Sequence, residues 1–348
     1  MNKALILFTG LTALLFLLPS IQVAPEPTPS PSLQDDMPLS DLLRQLGEAP
    51  AIHQARMDLP GVSVERGREL VTMGYTTKPS GKRSKRISRF FVCTACHNLE
   101  REDPDLSRSD PQARLKYTAE RQMPFLQGTT FYGLVNRRSF YNDDYEKKYG
   151  DLVKLARHNL RAAIQLCAVE CSQGRELDPW EVESLLAYFW TLELKVSDLN
   201  LSVDEKTLLE KALQGKADKS TALKMVHQHY LLGSPASFTK PPENRKQGYA
   251  IQQEPEPENG QLIYQNSCLH CHLNQRFSQF NLDESSDSFR FLRKHISRYS
   301  RYSIYQVIRY GTTPLPGKKA YMPHYTLERM SNKQVEDLRA FIEWQASL

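Results

Sequence analysis

Cys93-Thr94-Ala95-Cys96-His97 and Cys268-Leu269-His270-Cys271-His272 share one pattern: two cysteines separated by two residues, with a histidine directly after the second. That spacing sets the sulfurs about one helical turn apart, near the separation of the vinyl groups on a porphyrin, and aims the adjacent imidazole at the metal. It is the attachment sequence of a c-type haem, in which both thiols bond to the porphyrin edge and the histidine ligates the iron from one face. Zinc would need both cysteine pairs to converge and would leave the trailing histidines without a role. A thioredoxin-type couple would need a βαβ surrounding, and no segment here alternates with period two. The sequence therefore predicts two covalently bound haem c groups, with His97 and His272 as proximal ligands.

The chain has 348 residues, enough for two or three small domains, with 40% hydrophobic residues and a formal charge of +5. That charge does not mark a nucleic-acid binder. Lys3 followed by the apolar run Ala4 to Ala24 reads as an export signal. Pro25 and Gln22 make a poor cleavage site, and the run is long enough to span a bilayer if uncut. The expectation is a periplasmic protein, soluble or held at the inner membrane by this segment. Pro25, Pro27, Pro29 and Pro31 then make a stiff stalk. Export agrees with haem attachment outside the cytoplasm, and it leaves only Cys167 and Cys171 of six cysteines uncommitted.

One unit occurs twice. In the second copy a short helix around Gly260-Gln261-Leu262-Ile263-Tyr264 leads into Cys268. Tyr321-Met322-Pro323 follows about fifty residues later, and Ser331 caps a last helix with Val335, Leu338, Phe341 and Ile342 on one face. The first copy has Gly67 to Val71, then Cys93, then a helix from Pro179 whose stripe is Val182, Leu185, Leu186, Phe189 and Trp190. Gly67 lies 26 residues before Cys93, whereas Gly260 lies 8 before Cys268, so the first copy carries an insertion. Between the copies, Ser202 and Glu205 form a capping box for a helix through Leu208, Leu209 and Leu213. A second helical run holds Leu223, Met225, Val226 and Leu231 and stops at Gly233. The predicted fold is all-α, with two cytochrome c-type haem domains joined by a helical connector. The boundaries are 1–24 (signal or anchor), 25–50 (Pro-rich linker), 51–195 (first haem domain), 196–247 (connector) and 248–348 (second haem domain).

A second axial ligand makes a haem iron low-spin and suited to electron transfer. For the second haem the candidate is Met322, with His324 as the neighbouring alternative. For the first, the candidates are Met123, His158, Cys167 and Cys171. Cys167 and Cys171, at i and i+4, also have the alternatives of a disulfide or of buried free thiols.

Residues Asn259 to Ser347 resemble a class I cytochrome c domain through Gly260, Cys268, Cys271, His272, Met322 and Pro323. The resemblance implies Met322 as the distal ligand. The segment from Ile164 through Cys167 to Gly174, with the helix around Leu185 to Tyr188, is similar to thiosulfate dehydrogenase and to the haem A subunit of the periplasmic sulfur-oxidising complex. In that group a cysteine seven residues before a glycine ligates the catalytic iron. Cys167 and Gly174 keep the offset, although Ala163 stands where an arginine is usual and Cys171 is extra. This likeness runs loosely from Gly67 to Leu194. It implies a thiolate-ligated first haem and, for Arg137 and Arg138, contact with a small sulfur oxyanion. Read from the residues alone, that arginine pair also suits haem propionates or a surface face.

Lys78, Lys82, Arg83, Lys85, Arg86 and Arg89 crowd the insertion with no acid among them, a solvated charge run or a docking patch for an acidic partner. His227 and His229 read as surface. Two functions follow as expectations. One is a dihaem carrier passing single electrons from the first haem to the second between redox partner proteins. The other is an oxidoreductase acting on sulfur anions at the first haem, with Cys167, Arg137 and Arg138 as its catalytic residues. Dihaem peroxidases also carry two such motifs, but the Gly/His/Asp/Arg-rich string that follows their first motif has no counterpart here.

Overall fold

The structure, a computed structural model, describes residues 33–313 and 321–348. The export segment and the proline stalk lie outside the described residues. So does the stretch 314–320. The chain is helical, and among the described residues extended pairing is limited to isolated bridges at Pro38 with Lys195 and Thr77 with Arg83.

In chain order the helices of the first half are α1 (Leu39–Gln45), α2 (Val64–Met73), α3 (Pro111–Glu120), α4 (Asp143–Tyr149), α5 (Leu160–Leu166) and α6 (Pro179–Trp190). The second half adds α7 (Val203–Leu213), α8 (Lys219–Val226), α9 (Pro257–Ile263), α10 (Leu269–His272), α11 (Ser286–Ile296), α12 (Ile304–Tyr310) and α13 (Asn332–Gln345). Several helix starts are capped by serines, two of them, Ser202 and Ser331, as expected. Ser63, Ser202 and Ser331 accept from the backbone N–H three residues on, and Ser202 and Ser331 do so within capping boxes.

The repeat seen in the sequence is a repeat in space. In the first unit α2 crosses α6; in the second α9 crosses α13. Both crossings are made at a glycine. A Cβ on Gly67 would lie 1.9 Å from the Ser184 carbonyl oxygen, and one on Gly260 would lie 2.1 Å from that of Asp337. Only a residue without a side chain lets the backbones approach this closely. The first core gathers Leu70, Val71, Phe131, Leu160, Leu185, Leu186 and Phe189. The second gathers Ile263, Tyr264, Phe289, Leu292, Val335, Leu338 and Phe341, together with Leu115 and Phe125 from the region between the first motif and α4.

Residues 39–45 differ from the expected Pro-rich linker over 25–50. Leu39, Leu42 and Leu43 recur at i, i+3 and i+4 and are buried, so they fold as α1. They pack with Leu209, Ala212, Leu213, Ala222 and Val226 of α7 and α8 into a third, smaller core. The connector is thus anchored rather than free. At roughly 1.5–3 kcal/mol for each fully buried leucine, three leucines outweigh the short length of α1. The second connector helix ends at Val226 rather than running to Gly233. His227 and His229 are half-buried and paired with Glu48 and Glu205, both at 2.9 Å.

The two units share a buried polar seam. Glu102 and Arg114 from the first half meet Arg329 from the second, and all three are buried. Arg329 donates to Glu102 (2.6 Å) and to the carbonyls of Leu126 (3.0 Å) and Gly128 (2.6 Å). The Arg114 guanidinium lies 3.8 Å from the centre of the Phe125 ring. Burial works against the Glu102 carboxylate, but the charges of Arg329 and Arg114 outweigh it and hold its pKa well below the usual range.

Candidate haem sites

The second motif opens onto a cavity of about 350 Å³ lined by Cys268, Cys271, His272, Tyr264, Leu292, Leu338, Met322 and Pro323 among others. Its walls are mostly apolar, as a porphyrin face requires. Helix α9 continues through a π turn at Tyr264–Cys268 into α10, so that Cys268 ends the turn and α10 carries Cys271 and His272. The histidine ring is oriented from behind, because its Nδ1 lies 2.8 Å from the Phe280 carbonyl. Burial lowers the His272 pKa and keeps the ring neutral, so Nδ1 is the donor and Nε2 is left as the free lone pair. Met322 lines the same cavity, and its N–H is fixed on the Thr312 hydroxyl at 2.7 Å. His324, the alternative ligand, does not line the cavity; its ring packs on Phe238 at 5.3 Å.

The first motif repeats this orientation. His97 Nδ1 lies 2.6 Å from the Thr129 carbonyl, and its ring stacks on Phe131 with centroids 4.6 Å apart. Gly128 is needed there, since a Cβ would sit 2.5 Å from His97 Cε1. Burial again lowers the ring's pKa. No disulfide joins any of the six cysteines. The residues fit a covalently attached haem at each motif: two uncommitted sulfurs, and a neutral imidazole with one nitrogen already spent on the backbone.

The residues weighed as distal ligands for the first motif fall in different places. Helix α5 runs into a π turn at Cys167–Cys171, closed by the Ser172 N–H on the Cys167 carbonyl (2.8 Å). Such turns interrupt regular helices mostly where function requires it. Cys171 lies near His97 and Cys96, and Cys167 is hydrogen-bonded to Cys171. Cys171 is exposed, yet its pKa is raised, first by a hydrogen bond with Cys167 and then by burial. Both facts suit a side chain facing an enclosed space. The charges of Cys171 and His97 act on each other. Tyr141, Tyr145, Tyr149 and Tyr321 surround the pair. Burial raises each of their pKa values, and the Cys171 charge raises them further. Nothing in the sequence marks this tyrosine wall.

The other candidates lie elsewhere. Met123 is buried where the two units join, next to Phe125, whose N–H bonds the Asn266 carbonyl at 2.8 Å. His158 is exposed and rests on the Arg138 carbonyl at 3.1 Å. It lines a separate cavity of about 710 Å³ that contains neither motif. Arg137 and Arg138 also border that cavity, and they part company. Arg138 is spent on Glu48 (2.6 Å), whereas Arg137 turns inward, and burial and the Arg329 charge lower its pKa. Arg138 is not brought to the thiols.

The two sites adjoin. Phe91 and Gln127, from the first unit, line the second cavity. Phe91 meets Tyr321 edge-on at 6.0 Å. Burial raises the Cys96 pKa, and the nearby charges of Cys271 and Cys171 raise it further.

A family model described as cytochrome c oxidase, cbb3-type, subunit III matches residues 255–342. No curated protein and no solved structure matches the chain. The C-terminal unit is therefore a c-type cytochrome domain, which binds haem c covalently and transfers electrons. No helix among the described residues is long and apolar enough to cross a membrane.

Proposed function

We propose that the chain is an exported dihaem c-type cytochrome that passes single electrons from a haem at Cys93, Cys96 and His97 to one at Cys268, Cys271 and His272. The observation that carries this reading is the adjacency of the two motifs: Phe91, two residues before Cys93, lines the cavity of the second motif and meets Tyr321 edge-on at 6.0 Å. His97 and His272, oriented by the Thr129 and Phe280 carbonyls, would hold the irons. Met322, which lines the second cavity, would be the second protein donor to the haem there. By the resemblance to thiosulfate dehydrogenase, Cys167 would be that donor for the haem at the first motif, with Cys171 beside it. A haem supplies reversible one-electron chemistry. A thiolate donor lowers an iron's potential and a thioether raises it, so flow from the first site to the second is downhill. Redox partner proteins supply and remove the electron on the periplasmic side. Residues 1–24 act as the signal or membrane anchor.

Redox titration of the matured protein followed by its visible spectrum should resolve two one-electron steps, the lower belonging to the thiolate-ligated haem. A single step, or a lower step belonging to the Met322 site, would contradict the reading.

The two thiols at the first site favour a second reading, oxidation of small sulfur anions there. Thiosulfate mixed with the protein and ferricyanide would then bleach the acceptor, two thiosulfates giving tetrathionate and two electrons. No bleaching, with normal reduction by ascorbate, leaves the carrier.

A further inference from the structure

We propose that the insertion loop of the first unit, between Gly74 and Val92, is the docking surface for an acidic electron-carrier protein, which exchanges its electron with the first site. The proposal rests on reading that site as a haem site.

Lys82, Arg83, Lys85, Arg86 and Arg89 are exposed, and Lys78 is half-buried. No acid lies between Gly74 and Val92, and none of the six cations forms an ion pair among the described residues. Concentrated like charge opposes its own folding, so its retention needs a cause. The loop also differs from a loose solvated run in being fixed. The N–H groups of Ser84 and Ile87 donate to the Thr76 (2.7 Å) and Gly74 (2.8 Å) carbonyls. The guanidinium carbons of Arg83 and Arg86 lie 3.6 and 5.1 Å from the centre of the Tyr75 ring. Lys and Arg charges held in a set pattern make a complementary face rather than a diffuse cloud.

Its location points to electron exchange. The Ser88 hydroxyl donates to the Ser172 carbonyl (2.6 Å), one residue past Cys171, and the Arg175 N–H donates to the Ile87 carbonyl (3.0 Å). Arg89 stands four residues before Cys93. The patch therefore borders the first site on its thiol side. None of the six cations lines either cavity described above. They spread over an outward face, which suits a protein surface better than a single small anion.

The test uses the matured full chain and compares two reductants in stopped flow: a reduced plant-type ferredoxin, as an acidic one-electron carrier protein, and hexaammineruthenium(II), as a small cationic reagent. With ferredoxin the wild-type rate should fall steeply as salt rises. The triple variant Lys82→Glu, Lys85→Glu, Arg89→Glu should slow that reaction between about 10- and 1,000-fold at low salt. It should leave hexaammineruthenium reduction and the haem spectrum unchanged or slightly favoured. Reversal of Lys211, Lys216 and Lys224, exposed on α7 and α8 and nearby turns, should change the ferredoxin rate much less. Equal slowing by the two triple variants would overturn the proposal, since net charge alone would then suffice. So would an unchanged ferredoxin rate in the loop variant, including the case where that variant instead loses binding to phosphatidylglycerol vesicles. A wild type lacking the haem spectrum of the first motif would sink the haem reading itself, a separate failure.

Discussion

A histidine beside a Cys-x-x-Cys pair becomes an effective iron ligand only when its ring is held still. Here the Thr129 carbonyl holds His97 at 2.6 Å and the Phe280 carbonyl holds His272 at 2.8 Å. These acceptors stand 32 and 8 residues beyond their histidines, so nothing in the local sequence marks them. The cysteines and histidines were legible because their chemistry is local. The ligand opposite His97 in the proposed first haem was not, because the proposal leaves two thiols one turn apart as candidates. Electron paramagnetic resonance of single variants separates them. Cys167→Ala should abolish a thiolate-type low-spin signal, and Cys171→Ala should retain it. The reverse pattern would transfer the role to Cys171, and an unchanged spectrum in both would remove the thiolate altogether.

At the scale of the element, each unit depends on one helix crossing. Gly67 in α2 and Gly260 in α9 each lie against a carbonyl of the helix they cross, with no space for a methyl group. Gly67→Ala and Gly260→Ala should each destabilise by about 1–3 kcal/mol, since overpacking forces the backbones apart. Denaturant unfolding of each variant measures this. Values within ~0.5 kcal/mol of wild type would show that the crossings relax freely. The helices with strong caps and full apolar stripes, α6, α7 and α13, were readable from the sequence. Helix α1 was hidden by the proline-rich residues before it, and its stability comes from α7 and α8, far along the chain. The π turn at Cys167–Cys171 carries no propensity signal at all.

At the scale of the molecule, the seam of Glu102, Arg114 and Arg329 ties the second unit to the segment that orients His97. Arg329 holds the Gly128 carbonyl, one residue before the carbonyl that accepts from the His97 ring. Glu102→Gln leaves two buried guanidinium groups without their carboxylate and should cost about 3–5 kcal/mol at pH 7, measured by denaturant unfolding. The sign of the pH dependence follows from the depressed folded pKa. The unfolded chain takes up the proton first, near the ordinary value of 4.5. The contribution is therefore complete above that pH and is lost as pH falls towards the folded value. The gap between wild type and Glu102→Gln should shrink on acidification below 4.5. A pH-independent gap would mean that Glu102 acts through packing alone. None of this seam was legible, because Arg329 lies more than 200 residues from both Glu102 and Arg114.

The number of haems on the chain is the most direct test. Intact mass of the protein, matured in a host that attaches c-type haem, should show two covalent haem groups. One should be lost in Cys93→Ala/Cys96→Ala and the other in Cys268→Ala/Cys271→Ala. A wild-type chain carrying a single haem, or none, would contradict the two-site reading.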